Sequence, residues 1–449
     1  MRKFVILCIG VLASALVGGE ARAAVPAESS AGGAPSLGRY IVVLRDGADA
    51  AQVAAMHGKA HGFTPQLVYN RALSGYAATL PEPALAGIRS RPEVRFVSVD
   101  GEVQAAQTQP PQAVSFGVLR IGGDKSSTRS GDGRGTVNVN VAVLDDGMDA
   151  THPDLNVVGG TSCVNGAGRP GRDGFPSGQH GTMVGGFIGA LDNAIGRVGV
   201  APGARLWAVR VLHDDGFGSD SEIICGLDWV TATRTDSDPT NDIAVANMSL
   251  GGKLGKGFPA GTCTDSTNQA KYLAVCRAVA AGVTVVAAAG NEGADILNLW
   301  PANMPDVLTV TAVSDKDGLP GSLGGQLNCL PSEIDDTAAT FSNFATLASD
   351  QTHVVAAPGS CIASTWPGGL YAVGSGTSFA TPLAAGTVAL CVASGPCAGL
   401  TPRQIIQKIV ADASAYNSTK KNSGYGFAGD PLRPIDGKYY GYLIRASLY

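Results

Sequence analysis

The run Val137-Asn138-Val139-Asn140-Val141-Ala142-Val143-Leu144 is β-branched and apolar, and it stops at Asp145-Asp146-Gly147. It reads as a buried strand closed by a turn. The same pattern repeats downstream. Strands are expected over 206–212, 243–250, 283–289, 307–313 and 353–357, and helices over 221–233, 270–281, 378–392 and 401–411. Continuous apolar strands separated by helices imply an α/β fold, a parallel sheet covered by helices on both faces. Residues 106–449 are read as one such domain.

Upstream the pattern is shorter. Tyr40–Leu44, Ala77–Leu80 and Val94–Val99 read as strands, and Ala50–His61 and Pro83–Ser90 as helices. That order describes a small α+β module. Residues 24–38 and the Gln/Ala/Pro stretch Gln104–Gln112 read as linkers. At the start, Arg2 and Lys3 precede an apolar run from Phe4 to Val17, and Ala21-Arg22-Ala23 follows. A basic start, a short apolar core and an A-x-A site predict a secretory signal peptide over 1–23. The run is shorter than the ~20 residues a membrane span needs. A second long uncharged stretch, Trp366 to Pro402, is broken by Gly and Pro and reads as buried core of a soluble protein.

Composition narrows the function classes. Of 449 residues, 45% are hydrophobic and 15% charged, enough to bury a large core. The 61 glycines follow no three-residue period, so collagen is excluded. A net charge of −5 with scattered Lys and Arg argues against nucleic acid as a partner. Cys8 leaves with the signal, and Cys163, Cys225, Cys263, Cys276, Cys329, Cys361, Cys391 and Cys397 remain. An even number in an exported chain favours disulfides, and no C-x-x-C pair suggests zinc. Short loops suggest Cys263–Cys276 and Cys391–Cys397, which leaves Cys329–Cys361 and Cys163–Cys225.

Three polar residues sit where ligands meet a parallel sheet, past strand ends or at helix starts. Asp145 ends a strand, His180-Gly181-Thr182 opens an apolar helical stretch, and Gly376-Thr377-Ser378 opens another. Singly, each has a plainer explanation: a turn former, a structural histidine, an N-cap. Together they are the parts of a nucleophile with its base. A histidine can take the proton of a serine as it attacks a carbonyl, and a buried aspartate orients the imidazole.

These segments resemble the three signature blocks of the subtilisin-like serine proteases, whose triad order is Asp, His, Ser. Asn247-Met248-Ser249-Leu250-Gly251-Gly252 and Ala288-Ala289-Gly290-Asn291-Glu292-Gly293 resemble two further blocks of that family. Val209–Leu212, the Asp214–Gly218 loop and Ala105–Thr108 resemble the proteinase-K-like branch. The module at 39–104 resembles the family's inhibitory propeptide, which is ferredoxin-like.

The resemblance implies a secreted, extracellular endopeptidase that acts on protein or peptide substrates as a monomer, away from membranes. Residues 24–105 would be linker and propeptide, an intramolecular inhibitor removed by self-cleavage. It makes Asp145 the orienting group, His180 the general base and acid, and Ser378 the nucleophile. Asn291 would donate to the oxyanion with the Ser378 N–H. Ser249-Leu250-Gly251 and Gly216-Phe217-Gly218 would pair with the substrate backbone. Ala288, Ala289 and Gly290 would line the first specificity pocket, whose small uncharged walls suit apolar or aromatic side chains.

The chemistry so implied needs no cofactor. Structural calcium is unplaced: His353 or Val354 stands where the branch has a ligating Asp, and acidic loops such as Asp214-Asp215 either bind calcium or are surface turns. Asp146 stands where the family has Ser or Thr, and Met183 and Leu383 where it has His. An inactive peptide-binding protein of the same fold is the alternative reading, and the retained triad with Asn291 argues against it. An α/β-hydrolase would need a G-x-S-x-G elbow and the order Ser, Asp, His, which the sequence lacks.

Overall fold

The computed structural model describes residues 37–101, 109–164, 169–170, 178–254, 261–263, 269–322, 324–422 and 424–449. The signal segment, the first linker up to 36 and the junction at 104–107 lie outside them. The described chain falls into two compact units, 37–101 and 109–449.

In the small unit, strands Leu37–Leu44, Leu67–Tyr69, Gly75–Pro81 and Val94–Val99 form an antiparallel sheet. Helices Ala50–His61 and Glu82–Arg89 accompany it. Val42, Leu44, Ala54, Tyr76, Leu80, Leu85 and Ile88 build its core. Asp49 starts the first helix by accepting the N–H groups of Ala51 and Gln52, and Gly62 ends it with a φ of 74°. The strand Leu67–Tyr69 was not expected. It is three residues long and largely exposed, so no apolar period marks it.

In the large unit the main sheet runs, edge to edge, through Tyr442–Leu443, Val354–Ser360, Leu308–Ser314, Thr284–Ala288, Ile243–Met248, Asn140–Asp145, Arg205–Arg210, Val157–Ser162 and Arg169–Pro170. All neighbours in that order are parallel except the last pair. Residue alternation divides the two faces. Val141 and Val143 join one hydrophobic core with the helices Gln179–Gly189 and Thr377–Ser394, and with Pro402–Ser418. Ala142 and Leu144 join the other, with the helices Asp220–Thr233 and Ala270–Ala280. This is the two-layer covering that the apolar strands predicted. The strand Val157–Ser162 was missed, because its centre is Gly159-Gly160 and carries no apolar side chain.

Thr377–Ser394 is the one helix among the described residues long and apolar enough to cross a membrane. From Phe379 to Cys391 every side chain is buried inside the domain, so its even hydrophobicity marks a central core helix.

The disulfides Cys163–Cys225, Cys263–Cys276, Cys329–Cys361 and Cys391–Cys397 all form. Cys163–Cys225 joins the end of a sheet strand to the helix Asp220–Thr233 across 62 residues, whereas Cys391–Cys397 spans 6. Loop entropy makes their contributions about 4 and about 2 kcal/mol. The double variant Cys163→Ser/Cys225→Ser should therefore lose about twice as much stability in urea unfolding as Cys391→Ser/Cys397→Ser. The opposite order would show that strain or packing, not chain closure, governs these bridges.

Candidate active site

Asn140–Asp145 lies between Arg205–Arg210 and Ile243–Met248 in the sheet. The chain leaves it on one side toward 157–162 and 205–210, and later returns on the other side at 243–248. That reversal opens a crevice at the strands' carboxyl ends. Asp145 sits at its floor and Ser249 at the end of the neighbouring strand.

Asp145 is fully buried, so its charge must be answered by protein groups. The Asp146 N–H donates to Oδ1 at 2.8 Å. His180 Nδ1 lies 2.8 Å from Oδ1 and 2.9 Å from Oδ2, so it carries the proton toward the carboxylate and leaves Nε2 free to accept one. Burial alone would depress the imidazole pKa, yet the charge and hydrogen bond of Asp145, with the charge of Asp146, raise it above its ordinary value.

His180 enters on the helix Gln179–Gly189, which packs tightly against the strand end. A Cβ on Gly181 would lie 2.1 Å from the Gly147 carbonyl oxygen. Glycine at 181 is what lets the helix approach closely enough for the Asp145–His180 bond. The helix crosses the Ser378 helix here, and the His180 ring lies 5.3 Å from the ring of Phe379, the residue after Ser378.

Ser378 lies in the first turn of Thr377–Ser394, where backbone N–H groups have no intrahelical acceptor. Pro382 stands four residues on and has no N–H to give the Ser378 carbonyl. Ser249 Oγ donates to that carbonyl instead, at 2.6 Å, and Ser378 Oγ donates to the Ser249 carbonyl at 3.1 Å. The two serines therefore tie the helix start to the end of the strand 243–248.

Asn291 follows the strand Thr284–Ala288 and the turn glycine Gly290 (φ 97°). Its Oδ1 accepts from Thr377 N at 2.8 Å and Thr377 Oγ1 at 3.0 Å, which leaves Nδ2 to point elsewhere. A Cβ on Gly376 would lie 3.6 Å from Asn291 Nδ2 and 3.7 Å from Ser378 N. The Asn291 amide nitrogen and the Ser378 backbone nitrogen thus lie near one point beside Gly376.

The remaining positions read from the sequence follow the same strand ends. Leu250 and Gly251 continue from Ser249. The turn containing Gly216, Phe217 and Gly218 is closed by His213 N donating to Phe217 O at 2.8 Å, and it leaves from Leu212, whose N–H donates to the Asp145 carbonyl. Phe217 is 75% exposed, an aromatic surface with no core to fill. Ala288 and Ala289 are buried beside Gly290.

A carboxylate also stands beside Gly290. Glu292 Oε2 would be 2.9 Å from a Cβ on Gly290; it accepts from Asn291 N and Asn343 Nδ2, each at 3.0 Å, while its other oxygen is 3.9 Å from Lys253 Nζ. The sequence printed Glu292 beside Asn291, but nothing in it says which way the side chain turns. Asn343 and Thr377 were missed for the same reason.

Met183 and Leu383 are both wholly buried and belong to the main core. His353 is also buried; its Nδ1–H donates to Val307 O at 3.0 Å, and burial lowers its pKa to about 4. It is a neutral core histidine. Asp214 pairs with Arg210 at 2.6 Å, and Asp215 accepts the Phe217 N–H. Among the described residues, Asp315, Asp317 and Asp335 bring carboxylate oxygens within 4.8 Å of one another, close enough to hold a cation.

Comparison with known proteins agrees with this architecture. The family model described as Subtilase family matches residues 136–427, and the one described as Peptidase inhibitor I9 matches 39–106. Subtilisin NAT of Bacillus subtilis subsp. natto is 37% identical over 71% of this chain and 71% of its own. Subtilisin of Bacillus pumilus is 38% identical over 64% of this chain and 86% of its own. An alkaline protease of Alkalihalobacillus alcalophilus is 36% identical over 68% and 65%.

The close approach at Gly181 is open to direct test. Gly181→Ala should push the His180 helix off the strand end, lowering the unfolding temperature and erasing the low-field Nδ1–H proton resonance of a histidine bonded to a carboxylate. An unchanged resonance would mean that the helix does not depend on this contact.

Proposed function

This chain belongs to the subtilase family of serine endopeptidases and carries an I9-type inhibitor domain, and from that premise we propose the roles of its site residues. Ser378 is the nucleophile. His180 takes its proton through Nε2 during attack on the scissile carbonyl and returns it to the leaving amine. Asp145 holds the imidazole in the tautomer that makes this exchange work and stabilises the imidazolium. The oxyanion lies in the space bordered by Asn291 Nδ2 and Ser378 N. Catalysis then needs no cofactor. The single observation that carries this reading is the buried Asp145–His180 contact at 2.8 Å, beside the helix that begins at Ser378.

The substrate is an extended polypeptide. Ser249-Leu250-Gly251 and Gly216-Phe217-Gly218 add it as a strand, so affinity comes from backbone hydrogen bonds and little sequence is demanded. The pocket walled by Ala288, Ala289 and Gly290 takes the side chain before the cleaved bond. Its small walls favour Phe, Leu and Ala. The Glu292 carboxylate is already engaged by two amides and faces Lys253, so it selects Lys or Arg only weakly. A peptide-library profile dominated by Arg or Lys at this position would overturn that preference.

We also infer that the chain is exported through residues 1–23, and that 39–104 acts as an intramolecular inhibitor released by self-cleavage between about Gln104 and Gln107. The mature enzyme would then comprise the 106–449 domain as a monomer.

Ser378→Ala should accumulate as a folded precursor that retains residues 39–104 and does not hydrolyse casein. Asn291→Leu should lower turnover by roughly 100- to 1,000-fold, the loss known for such a donor in subtilisin itself. N-terminal sequencing of wild type and Ser378→Ala, beside casein hydrolysis, checks catalysis and maturation together. Full activity in Ser378→Ala would sink the assignment.

A further inference from the structure

We propose that Asp146 is a positioning residue for His180: its carboxylate caps the helix that carries the imidazole, from the turn that carries the orienting aspartate. The inference rests on the reading of His180 as the general base.

The helix Gln179–Gly189 has no cap of its own. Its N-cap residue is Gly178, which offers no side-chain acceptor. The first backbone amides would otherwise be orphaned against a buried surface. Asp146 takes two of them at once. Its Oδ2 accepts the His180 N–H at 3.1 Å, and its Oδ1 accepts the Gly181 N–H at 2.8 Å. The carboxylate is only 6% exposed, so these bonds are not traded for water.

The backbone is shaped around this carboxylate. A Cβ on Gly178 would lie 2.3 Å from Asp146 Oδ1, and one on Gly181 would lie 3.1 Å from it. Glycine before and after His180 therefore clears the room that the carboxylate occupies. Its two oxygens span two successive amides, a reach that a single hydroxyl lacks.

The consequence for His180 is a grip at both ends. Asp145 holds the ring at Nδ1, and Asp146 holds the amide of the same residue. Adjacent residues of one turn thus fix where the residue starts and where its ring ends, which limits the imidazole's freedom to swing from Ser378. Pre-positioning of this kind acts on turnover more than on substrate affinity.

Asp146 also acts through charge. The charges acting on the imidazole are those of Asp145 and Asp146, both raising its proton affinity. Burial first, then the Asp145 charge, pushes the Asp146 carboxyl itself up to about 7, although its two backbone bonds and the His180 charge oppose this. Protonation of Asp146 would turn one of its acceptors into a donor and weaken the cap.

Three variants separate these effects: Asp146→Asn keeps one acceptor and loses the charge, Asp146→Ser keeps a shorter acceptor, and Asp146→Ala keeps neither. Activity is measured per active site, counted with an irreversible serine-directed probe, across the pH range. Turnover should fall roughly three- to tenfold in Asp146→Ala and less in Asp146→Asn, with KM within about twofold of wild type. In both, the acid limb of kcat/KM should move to lower pH. Without the neighbouring negative charge, His180 loses its proton more readily and is an active base further down the scale.

A variant that stays uncleaved is assayed through its first-order rate of self-cleavage, which should slow by the same factor. Wild-type turnover and an unmoved acid limb in all three, with only the unfolding temperature lowered, would make Asp146 a structural cap and overturn the proposal. Casein hydrolysis by Ser378→Ala would instead overturn the triad reading, whatever the Asp146 variants do.

Discussion

A carboxylate buried at the end of a buried strand is the constraint around which this crevice is organised. Asp145 has no water to solvate it, and an unanswered buried charge would cost several kcal/mol. The neighbours that answer it are specific: the Asp146 amide and the His180 imidazole. To deliver that imidazole, a helix must come within backbone contact of the turn, which excludes a side chain at Gly181. The uncapped start of that helix then requires an acceptor, and Asp146 is already in place. One buried charge thus accounts for a turn, a helix start and the glycines between them.

The second constraint is a missing hydrogen. Pro382 cannot donate to the Ser378 carbonyl, and the freed oxygen becomes the anchor for the Ser249 hydroxyl. A proline inside a helix costs stability where its lost bond goes unanswered. Here the neighbouring strand end answers it and gains a fixed position relative to Ser378. Asn291 is fixed in a related way, because Thr377 occupies its carbonyl and thereby orients its amide. Rigid elements meet at this crevice through bonds that the regular helix and sheet leave unmade.

Away from the crevice, burial is answered by charge as well as by packing. Arg120, 1% exposed, pairs with Asp315 at 2.8 Å and Asp336 at 2.6 Å, and its guanidinium donates to the carbonyls of Tyr425 and Gly426. The start of the large unit is thereby held to its 315–336 loop and its C-terminal segment. Nothing in the local sequence around Arg120 announced that pairing, because its partners are about 200 and 300 residues away.

The sequence by itself determined the α/β class, the small module ahead of it, and the place of most of the main strands and helices. Apolar period, strand length and helix signals are local properties, and local properties survive without coordinates. The pairing of the cysteines was partly legible, because two loops were short. Several strands escaped, among them Leu67–Tyr69, which is short and exposed, Val157–Ser162, which has glycines where a strand would show side chains, and the pair Ile362–Trp366 and Leu370–Gly374, which Gly368-Gly369 separates. The structure brings Asp145 to His180, Ser378 to Ser249 and Asn291 to Thr377, and only the tertiary structure decided how these side chains turn. It showed that the Glu292 carboxylate lies beside Gly290, that His353 is a neutral core residue, and that Asp146 spans two amides of the His180 helix. Those outcomes depend on which backbone groups are left unpaired when distant elements meet, a property of the packed fold that no window of sequence contains.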